Sequence, residues 1–389
     1  FLVRDPYGNQ WIDLSSGIVM ANCGHAHPLI VEAIRSQLES PLLFTYAYPS
    51  DVRRRFLERL VSLAPPQLNK AILFSSGTEA NECAISLMRH HGQKISPKKI
   101  RIISLEGNYF GRTLAAKAAG GGQGLVDGIC REALGHFQLP YPTPQGFEAD
   151  MASLNLDPES IAGIILESVP SVTTVLYPLE YMQALRAWAT QHQVLVAVDE
   201  VQCGMGRTGK TFAFEHYGIV PDLISSGKGL SSSLPISAVI GRRTVMDLAP
   251  PGEMSSTFGG NPVCVAAAEA NLKLLEEEKL AEKADLLGKH ILKWLSPIAE
   301  RYPSFISQVS GKGLFFSLHL KNPRTREAWV ELADQVALES VRRGVLLFVT
   351  GKGFIKIVPP LMISVEALKE AVEVLSTVLD EELTKCHSL

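Results

Sequence analysis

Short apolar runs of strand length alternate with segments of helical periodicity from about residue 70 to residue 242, and this alternation limits the possible folds more than any other feature. The apolar runs cover residues 71–74, 100–104, 161–166, 194–198, 223–225 and 236–240. Runs of this kind separated by helices are typical of a largely parallel sheet with helices on its faces. The sequence therefore predicts an α/β domain.

The C-terminal third predicts a second, smaller unit. Beyond Asn261 and Pro262 a long helical stretch is expected to run to about Trp294. The pattern then changes to strands separated by two helices, with the strands expected at 313–320, 345–349 and 354–358. A mixture of this kind is typical of a small α+β domain.

The N-terminal segment is expected to pack beside that C-terminal part. It contains a turn at residues 5–9 between short strands and a helix opened by Pro28. We therefore predict three units: an N-terminal segment (1–50), a large ligand-binding domain (51–290) and a small α+β domain (291–389).

The composition is that of an ordinary globular protein, with 46% hydrophobic and 20% charged residues and a formal net charge of -3. Lysine and arginine form no long block, so nothing predicts binding to nucleic acid or to an anionic membrane. No apolar run approaches the roughly 20 residues of a membrane-spanning helix. We expect neither nucleic acid nor a membrane as a partner.

The six cysteines are scattered without close pairs, which argues against a disulfide framework or a zinc cage. This usage favours the reducing cytoplasm as the location. The chain opens at Phe1 within strand-like sequence, so we expect further residues upstream, and a removed targeting segment stays an open alternative.

A small-residue segment at 75–81 lies between the first apolar run and an amphipathic helix. That helix is marked at i, i+3, i+4, i+7 and i+8 by Ala80, Cys83, Ala84, Leu87 and Met88. It is expected to begin near Thr78, so backbone N–H groups meet the positive end of the helix dipole and suit a phosphate. The plain alternative is a Ser/Thr helix cap, and this segment alone does not decide between the two.

Two polar residues follow neighbouring apolar runs. Asp199 ends the most apolar run, where an ionised carboxylate is costly unless it meets a cation or hydrogen-bond donors. Lys228 stands between Gly227 and Gly229, which lets the backbone approach a ligand and leaves the amine free to reach a carbonyl. In a parallel sheet both emerge at the carboxyl edge, where ligands bind. The pair indicates a ring cofactor tethered by Lys228, with a protonated pyridine nitrogen beside Asp199. The alternatives are a loop-capping aspartate and a solvent-facing lysine.

Two other candidates carry less weight. His25 and His27 precede a helix-opening proline and have no third ligand nearby, so they are interpreted as turn and capping residues, and we predict no metal. The glycine-rich stretch 120–124 lacks the spacing of a dinucleotide-binding loop and is predicted to be a mobile active-site loop.

Motifs along nearly the whole chain strongly resemble the class III, or ornithine/4-aminobutyrate type, aminotransferases that use pyridoxal phosphate. The matching motifs, in order, are GHAHP (24–28), SGTEANE (76–82), GRT (111–113), DEVQ (199–202), GMGRTG (204–209), GKG (227–229) and TFGGNP (257–262). The resemblance implies the fold type I architecture. In that fold a large domain with a mostly parallel, seven-stranded type of sheet is joined to a small α+β domain built from both ends of the chain.

The resemblance also implies roles for the residues of the two central motifs. Lys228 would hold the cofactor through a Schiff base and move a proton between substrate and cofactor. Asp199 would pair with the pyridine nitrogen. Ser76, Gly77 and Thr78 would hold the phosphate.

Further implied cofactor contacts come from other parts of the chain. Tyr109, with Phe110 beside it, would stack on the ring face, and Gln202 would approach the ring hydroxyl. Glu167 would lie beside the cofactor at the end of its strand. Thr257 would reach the phosphate of the neighbouring subunit, so a homodimer is expected.

The implied reaction is amino-group transfer in two half-reactions. A small-molecule amine or amino acid gives its amino group to the cofactor, which passes it to a keto acid, aldehyde or ketone. The alternatives within the same resemblance are an amino-acid racemase or epimerase and a dialkylglycine-type decarboxylase, because the same electron sink serves all three.

Two departures from the family pattern bear on the substrate. Relatives that use glutamate or ornithine usually have Gln-Gly-Glu where this chain has Pro170, Ser171 and Val172. They also carry an arginine where this chain has Lys356, which is a point charge without the bidentate fork. Lys356 is predicted to bind a substrate carboxylate less selectively, and an ω-amine or a specialised aldehyde or ketone is the hypothesis for one substrate.

Overall fold

The computed structural model describes residues 1–40, 48–120, 125–126 and 128–387. The strands are β1 (Leu2–Arg4), β2 (Gln10–Asp13), β3 (Lys70–Phe74), β4 (Arg101–Leu105), β5 (Leu125–Val126), β6 (Ile129–Cys130), β7 (His136–Leu139), β8 (Ile161–Glu167), β9 (Leu195–Asp199), β10 (Leu223–Ser226), β11 (Ser237–Gly241), β12 (Ile306–Lys312), β13 (Phe315–Leu320), β14 (Val345–Leu346), β15 (Phe348–Thr350) and β16 (Phe354–Ile357). The helices are α1 (Ser16–Val19), α2 (Pro28–Leu38), α3 (Asp51–Ser62), α4 (Gly77–Ile95), α5 (Leu114–Ala119), α6 (Phe147–Ser153), α7 (Leu179–Gln191), α8 (Arg243–Met246), α9 (Pro262–Glu277), α10 (Leu280–Arg301), α11 (Val330–Arg342) and α12 (Val365–His387). No helix in this part of the chain combines the length and apolar character that a membrane crossing needs.

Within the described residues, seven strands form a central sheet in the order β3-β11-β10-β9-β8-β4-β7. Neighbouring strands are parallel except at β11, which is antiparallel to both β10 and β3. Ile164 and Ile165, adjacent in β8, pack into separate apolar clusters, which shows that both faces of the sheet are covered. The prediction of a mostly parallel sheet covered by helices is confirmed.

Four of the described strands, β5, β6, β7 and β12, lie outside the set predicted from the sequence. The edge strand β7 carries His136 and Gln138, and β12 carries serine, glutamine and lysine side chains. In both strands polar residues interrupt the apolar ones, so a search for continuous apolar runs does not find them.

Two C-terminal predictions are wrong in detail. The single helix expected to run to Trp294 is two helices, because Lys279 adopts a left-handed conformation (φ 49°) between α9 and α10. No glycine or proline marks this break, and the fully buried Leu280 fixes the next helix by tertiary packing. The strand expected at 345–349 is two short strands, since β14 pairs with β2 while β15 pairs with β16.

The two ends of the chain pack together, as predicted. Strands β1, β2 and β14 form one sheet, and β12, β13, β16 and β15 form an antiparallel one. Ile12, Leu14 and Ile30 enter the same apolar cluster as residues of α10 and α12. The division at residues 50 and 290 stays a proposal, and α10 runs across the second of these boundaries.

A buried arginine joins the N-terminal, central and C-terminal parts. The Arg207 guanidinium is fully buried and donates to the carbonyl oxygens of Leu314 (3.2 Å) and Pro359 and to Asn22 Oδ1 (2.7 Å). Burial lowers the pKa of Arg207 to about 9. Because the guanidinium carries several N–H donors, this one side chain can bind the N-terminal segment at Asn22 and the C-terminal segments at Leu314 and Pro359 at the same time.

Candidate active site

The carboxyl ends of β3, β8, β9 and β10 meet at one edge of the central sheet. There, residues at or just after the ends of β3, β9 and β10 border a cavity of about 180 Å³. It is lined by Ser76, Gly77, Thr78, Asn81, Tyr109, Phe110, Gly111, Asp199, Val201, Gln202 and Lys228. In register, Asp199 of β9 stands beside Glu167 of β8 on one side and Ser225 of β10 on the other. The sheet therefore places strand-end side chains from separate parts of the sequence together, as expected for a parallel sheet.

One wall of the cavity is the beginning of α4. Ser76 caps this helix, because its hydroxyl accepts from the Glu79 amide (3.3 Å) while Glu79 Oε2 accepts from the Ser76 amide (2.8 Å). The Ser76 hydroxyl is thus engaged in the cap, as in the plain alternative. The amides of Gly77 and Thr78 have no acceptor among the described residues. Free amides at the start of a 19-residue helix suit an anion.

Asp199 lies on another side of the cavity, with only 4% of its surface exposed. Its Oδ1 accepts from the Val201 amide (2.7 Å) and its Oδ2 from Asn81 Nδ2 (2.7 Å). Burial raises the pKa of Asp199 to about 6, although those two donors and the charge of Lys228 lower it. Two neutral donors only partly offset the burial, so this carboxylate still favours a cation.

Lys228 follows β10 and has a left-handed backbone (φ 43°), which is unusual for a residue with a side chain. Burial lowers the pKa of Lys228, and the carboxylates of Asp199 and Glu167 oppose that shift. A lysine with a lowered pKa has more of the neutral amine that attacks a carbonyl. Position 229 requires glycine for a structural reason, because a side chain there would collide with Asn22. The tight backbone therefore approaches the N-terminal segment of the chain itself.

Glu167 lies behind the cavity wall and holds the segment that carries Tyr109. Its Oε2 accepts from the amides of Tyr109 (3.0 Å) and Ser171 (3.2 Å). Burial, and then the charge of Asp199, raise the pKa of Glu167 to about 8. Asn108 Oδ1 accepts from the Glu167 amide (2.7 Å), which fixes the same strand end from the other side.

The structure brings most of the predicted residues together. Ser76, Gly77, Thr78, Tyr109, Phe110, Asp199, Gln202 and Lys228 all line the cavity. Glu167, Thr257 and Lys356 do not line it. Thr257 is exposed on a loop whose neighbour Ser256 donates to Glu79 Oε1 (3.0 Å), and Lys356 is 1% exposed in β16.

Sequence analysis did not single out Asn81, although it lies in a matching motif. Asn81 Nδ2 also donates to the Phe110 carbonyl (3.0 Å), so one amide joins the acid to the segment that carries the aromatic side chains. The sequence did contain a signal for Asn81: it is a polar residue one turn into α4, beside Ala80 on the inward face of the helix. A polar side chain buried there needs hydrogen-bond partners.

The two remaining candidates have simple outcomes. His27 Nδ1 accepts from the Leu29 amide and caps α2, and His25 Nε2 lies 2.8 Å from Asp13, so the capping and turn interpretation fits. No group of three metal-ligating side chains occurs within the described ranges. The glycine-rich stretch at 121–124 lies outside the described residues.

The donor set fits one kind of ligand. Free helix amides suit a phosphate, a partly neutral lysine amine suits an aldehyde, and a buried carboxylate suits a protonated ring nitrogen. The site and the fold therefore define an enzyme that uses pyridoxal phosphate.

Comparison with known proteins agrees with this class. The family model for class-III aminotransferases matches residues 1–379. The chain is 33% identical over 386 residues to the mitochondrial ornithine aminotransferase of Oryza sativa subsp. japonica, covering 98% of this chain and 80% of the relative.

Two solved structures share the fold. The ornithine aminotransferase of Toxoplasma gondii, described with partial occupancy of PLP at its active site, has a TM-score of 0.86 and 26% identity and covers 99% of this chain and 89% of its own. An (S)-enantioselective omega-transaminase of Thermomicrobium roseum has a TM-score of 0.87 and 27% identity, with 98% and 91% covered.

The chain belongs to the class III aminotransferases. It is a transaminase of fold type I that depends on pyridoxal phosphate and moves an amino group from a small-molecule donor to a carbonyl acceptor.

Replacing Asn81 by leucine should weaken cofactor binding. A buried hydrogen bond to a charged group contributes about 1.5–3 kcal/mol, so we expect a loss of about ten-fold or more in affinity. The dissociation constant is measured by titrating cofactor-free protein and following absorbance, and a melting curve establishes that the variant is folded. The exposed Asn69→Leu is the control. An unchanged dissociation constant in folded Asn81→Leu would show that this amide does not support Asp199.

Proposed function

We propose that Lys228 is the catalytic amine and that Asp199 is the partner of the cofactor ring nitrogen. The observation that carries this assignment is that both side chains and the free amides at the start of α4 border one cavity. Gly77 and Thr78 would bind the phosphate through their amides, and Ser76 would shape that end of the site. Tyr109 and Phe110 would flank the ring.

Two further residues would complete the cofactor contacts. Gln202 lines the cavity directly after Val201, whose amide donates to Asp199, so the Gln202 side chain is available for the ring hydroxyl. Glu167 would support the Tyr109 segment from behind, through the amide that it accepts.

When bound, pyridoxal phosphate supplies an aldehyde that bonds to an amine and a ring that withdraws electrons from the substrate. Lys228 Nζ would hold the cofactor through that aldehyde, and a donor amine would take its place there. The freed Nζ would then be the group that takes a proton from the substrate carbon bearing the nitrogen, holds it and gives it up again. Its lowered pKa favours this double use as base and acid. Asp199, by its negative charge, would favour a protonated ring nitrogen.

Replacing Lys228 by alanine tests this assignment. We expect loss of the covalent link, seen as a changed visible absorbance, and a fall in turnover of about 10³-fold or more, because one side chain supplies all the proton transfers. The exposed Lys352→Ala should behave like the unaltered enzyme. A Lys228→Ala protein that kept both the absorbance and the turnover would overturn the assignment.

We infer that the amino donor is an amine at a chain end, without a carboxylate on the same carbon. No arginine lines the described part of the cavity, so a bidentate clamp for such a carboxylate is not supported. The segment after Glu167 carries no charge at Pro170, Ser171 or Val172. The omega-transaminase among the similar structures supports the same substrate class.

Half-reactions with single donors test the substrate class. Holoenzyme is mixed with a primary amine or with the α-amino acid of the same carbon skeleton, in the absence of an acceptor, and the cofactor absorbance is followed. We expect the primary amine to react about ten-fold faster or more, since a carboxylate left without a partner is costly. An equimolar carbonyl product should accompany the change, which a racemase would not give. Reaction with α-amino acids alone would contradict the inference.

We propose a homodimer in which Thr257 serves the neighbouring subunit. Thr257 is exposed, and the adjacent Phe258 has 67% of its surface exposed. A cavity of about 680 Å³ lies beside this loop, lined by residues of α3, by Ile72 and Leu73, and by 254–256. Large exposed apolar side chains next to a cavity are typical of a subunit interface.

Hybrid dimers separate the two possible positions of Thr257. Subunits that carry Lys228→Ala are paired with subunits that carry Thr257→Asp, whose new carboxylate repels a phosphate. If Thr257 acts across the interface, each hybrid contains one intact site and should recover about half the activity of the unaltered dimer. If it acts within its own subunit, both sites stay defective and no activity returns. Thr325→Asp, at an exposed site in the C-terminal part, is the control.

We also propose the cytoplasm as the location. All six cysteines are free, including the exposed Cys130, which is the usage expected in a reducing compartment.

A further inference from the structure

Lys356 is a buried lysine whose amine is already engaged by the protein. It lies in β16, opposite Ser317 of β13 and Phe348 of β15. Its Nζ donates to the Ser171 carbonyl and lies 5.4 Å from the centre of the Phe315 ring. With 1% of its surface exposed, it does not line the cavity beside Lys228.

Ser171 connects this amine to the active site. While its carbonyl accepts from Lys356, its amide donates to Glu167 Oε2 (3.2 Å). The same carboxylate oxygen accepts from the Tyr109 amide (3.0 Å). A continuous series of contacts therefore runs from Lys356 through Ser171 and Glu167 to the backbone of Tyr109, which lines the cavity.

The segment that contains Ser171 is held under strain by the small sheet. Thr174 has a left-handed backbone (φ 55°), which is rare for a β-branched residue. The preceding carbonyl, of Thr173, accepts from Ser317 Oγ (2.6 Å) and lies 2.8 Å from His319 Nε2. Ser310 Oγ also donates to that carbonyl (2.7 Å), so the small sheet holds this segment through several contacts near Thr173 as well as through Lys356, and such surroundings allow a strained conformation to persist.

Lys356 also interacts electrostatically with the ionisable groups around it. Burial lowers the pKa of Lys356 to about 7; Glu167 opposes this shift and Lys228 adds to it. His319, on the neighbouring strand, has its pKa lowered by burial and by the charge of Lys356. No carboxylate lies within 4 Å of the Lys356 amine in the described ranges; the Glu167 carboxyl acts on this amine from a greater distance and is joined to it by contacts through Ser171.

We propose that Lys356 is a positioning residue that acts through Ser171 on Glu167 and Tyr109. In this role it fixes the geometry of the cofactor pocket and does not bind a substrate carboxylate. The proposal rests on the cofactor site assigned to Lys228 and Asp199. It differs from the sequence prediction of Lys356 as a carboxylate ligand, and the two roles have different consequences before any substrate is added.

The test compares Lys356→Met with the unaltered holoenzyme, first without substrate. Removing a nearby positive charge favours the protonated form of the Lys228 linkage, so the midpoint of its absorbance titration should rise by about one pH unit. The shift should be smaller in Lys356→Met when Glu167→Gln is also present, because the direct effect of the lost charge remains while the part transmitted through Ser171 and Glu167 is removed. Lys352→Met, an exposed lysine in the turn before β16, is the control.

Turnover provides the second measurement. A donor with a carboxylate and a matched amine without one should lose the same factor in kcat/KM. The proposal is overturned if the substrate-free titration is unchanged and KM rises only for the carboxylate donor. Should Lys356→Met not fold, Lys356→Gln decides by the same two readouts. Failure of the Lys228 assignment is recognised separately, by the Lys228→Ala absorbance.

Discussion

The burial of the Asp199 carboxylate is the constraint on which the site depends. It ends a fully buried strand and is stabilised by two neutral donors, the Val201 amide and the Asn81 amide. These two donors do not fully stabilise the charge of a buried carboxylate, as the pKa of Asp199, raised to about 6, indicates. A cationic ring nitrogen would complete it, and the rest of the cavity then has to supply an amine and an anion site at matching positions.

Hydrogen bonds around the cavity connect it to both ends of the chain. Arg207 joins the N-terminal loop to the C-terminal segment, and Glu167 links the Tyr109 backbone to Ser171. The small sheet in turn holds the Ser171 segment through Lys356. Substitutions in the small sheet can therefore alter the cofactor pocket without touching the cofactor.

The sequence was most informative where burial leaves a simple pattern. Strands β8 and β9 are buried along their whole length, so their apolar runs were visible. Asp199 followed from the run that it ends, whereas Glu167 was implied only by the family resemblance. The edge strand β7 was missed because His136 and Gln138 interrupt its apolar residues. The break at Lys279 was missed because tertiary packing, and no glycine or proline, imposes it.

The supporting contacts of the site were harder to predict, for a physical reason. Glu167 is held by the amides of Tyr109 and Ser171, and backbone donors leave no trace in side-chain identity. The role of Asn81 depends on a partner 118 positions away along the chain. Lys356 was noticed as a departure from a family pattern, but its contact with Ser171 becomes visible only in three dimensions.

The most direct test is a crystal structure of the protein with pyridoxal phosphate bound. The account predicts continuous electron density between Lys228 Nζ and the aldehyde carbon, with the ring nitrogen within hydrogen-bond distance of Asp199 and the phosphate at the amides of Gly77 and Thr78. A ring nitrogen directed away from Asp199, or a cofactor joined to another lysine, would contradict it.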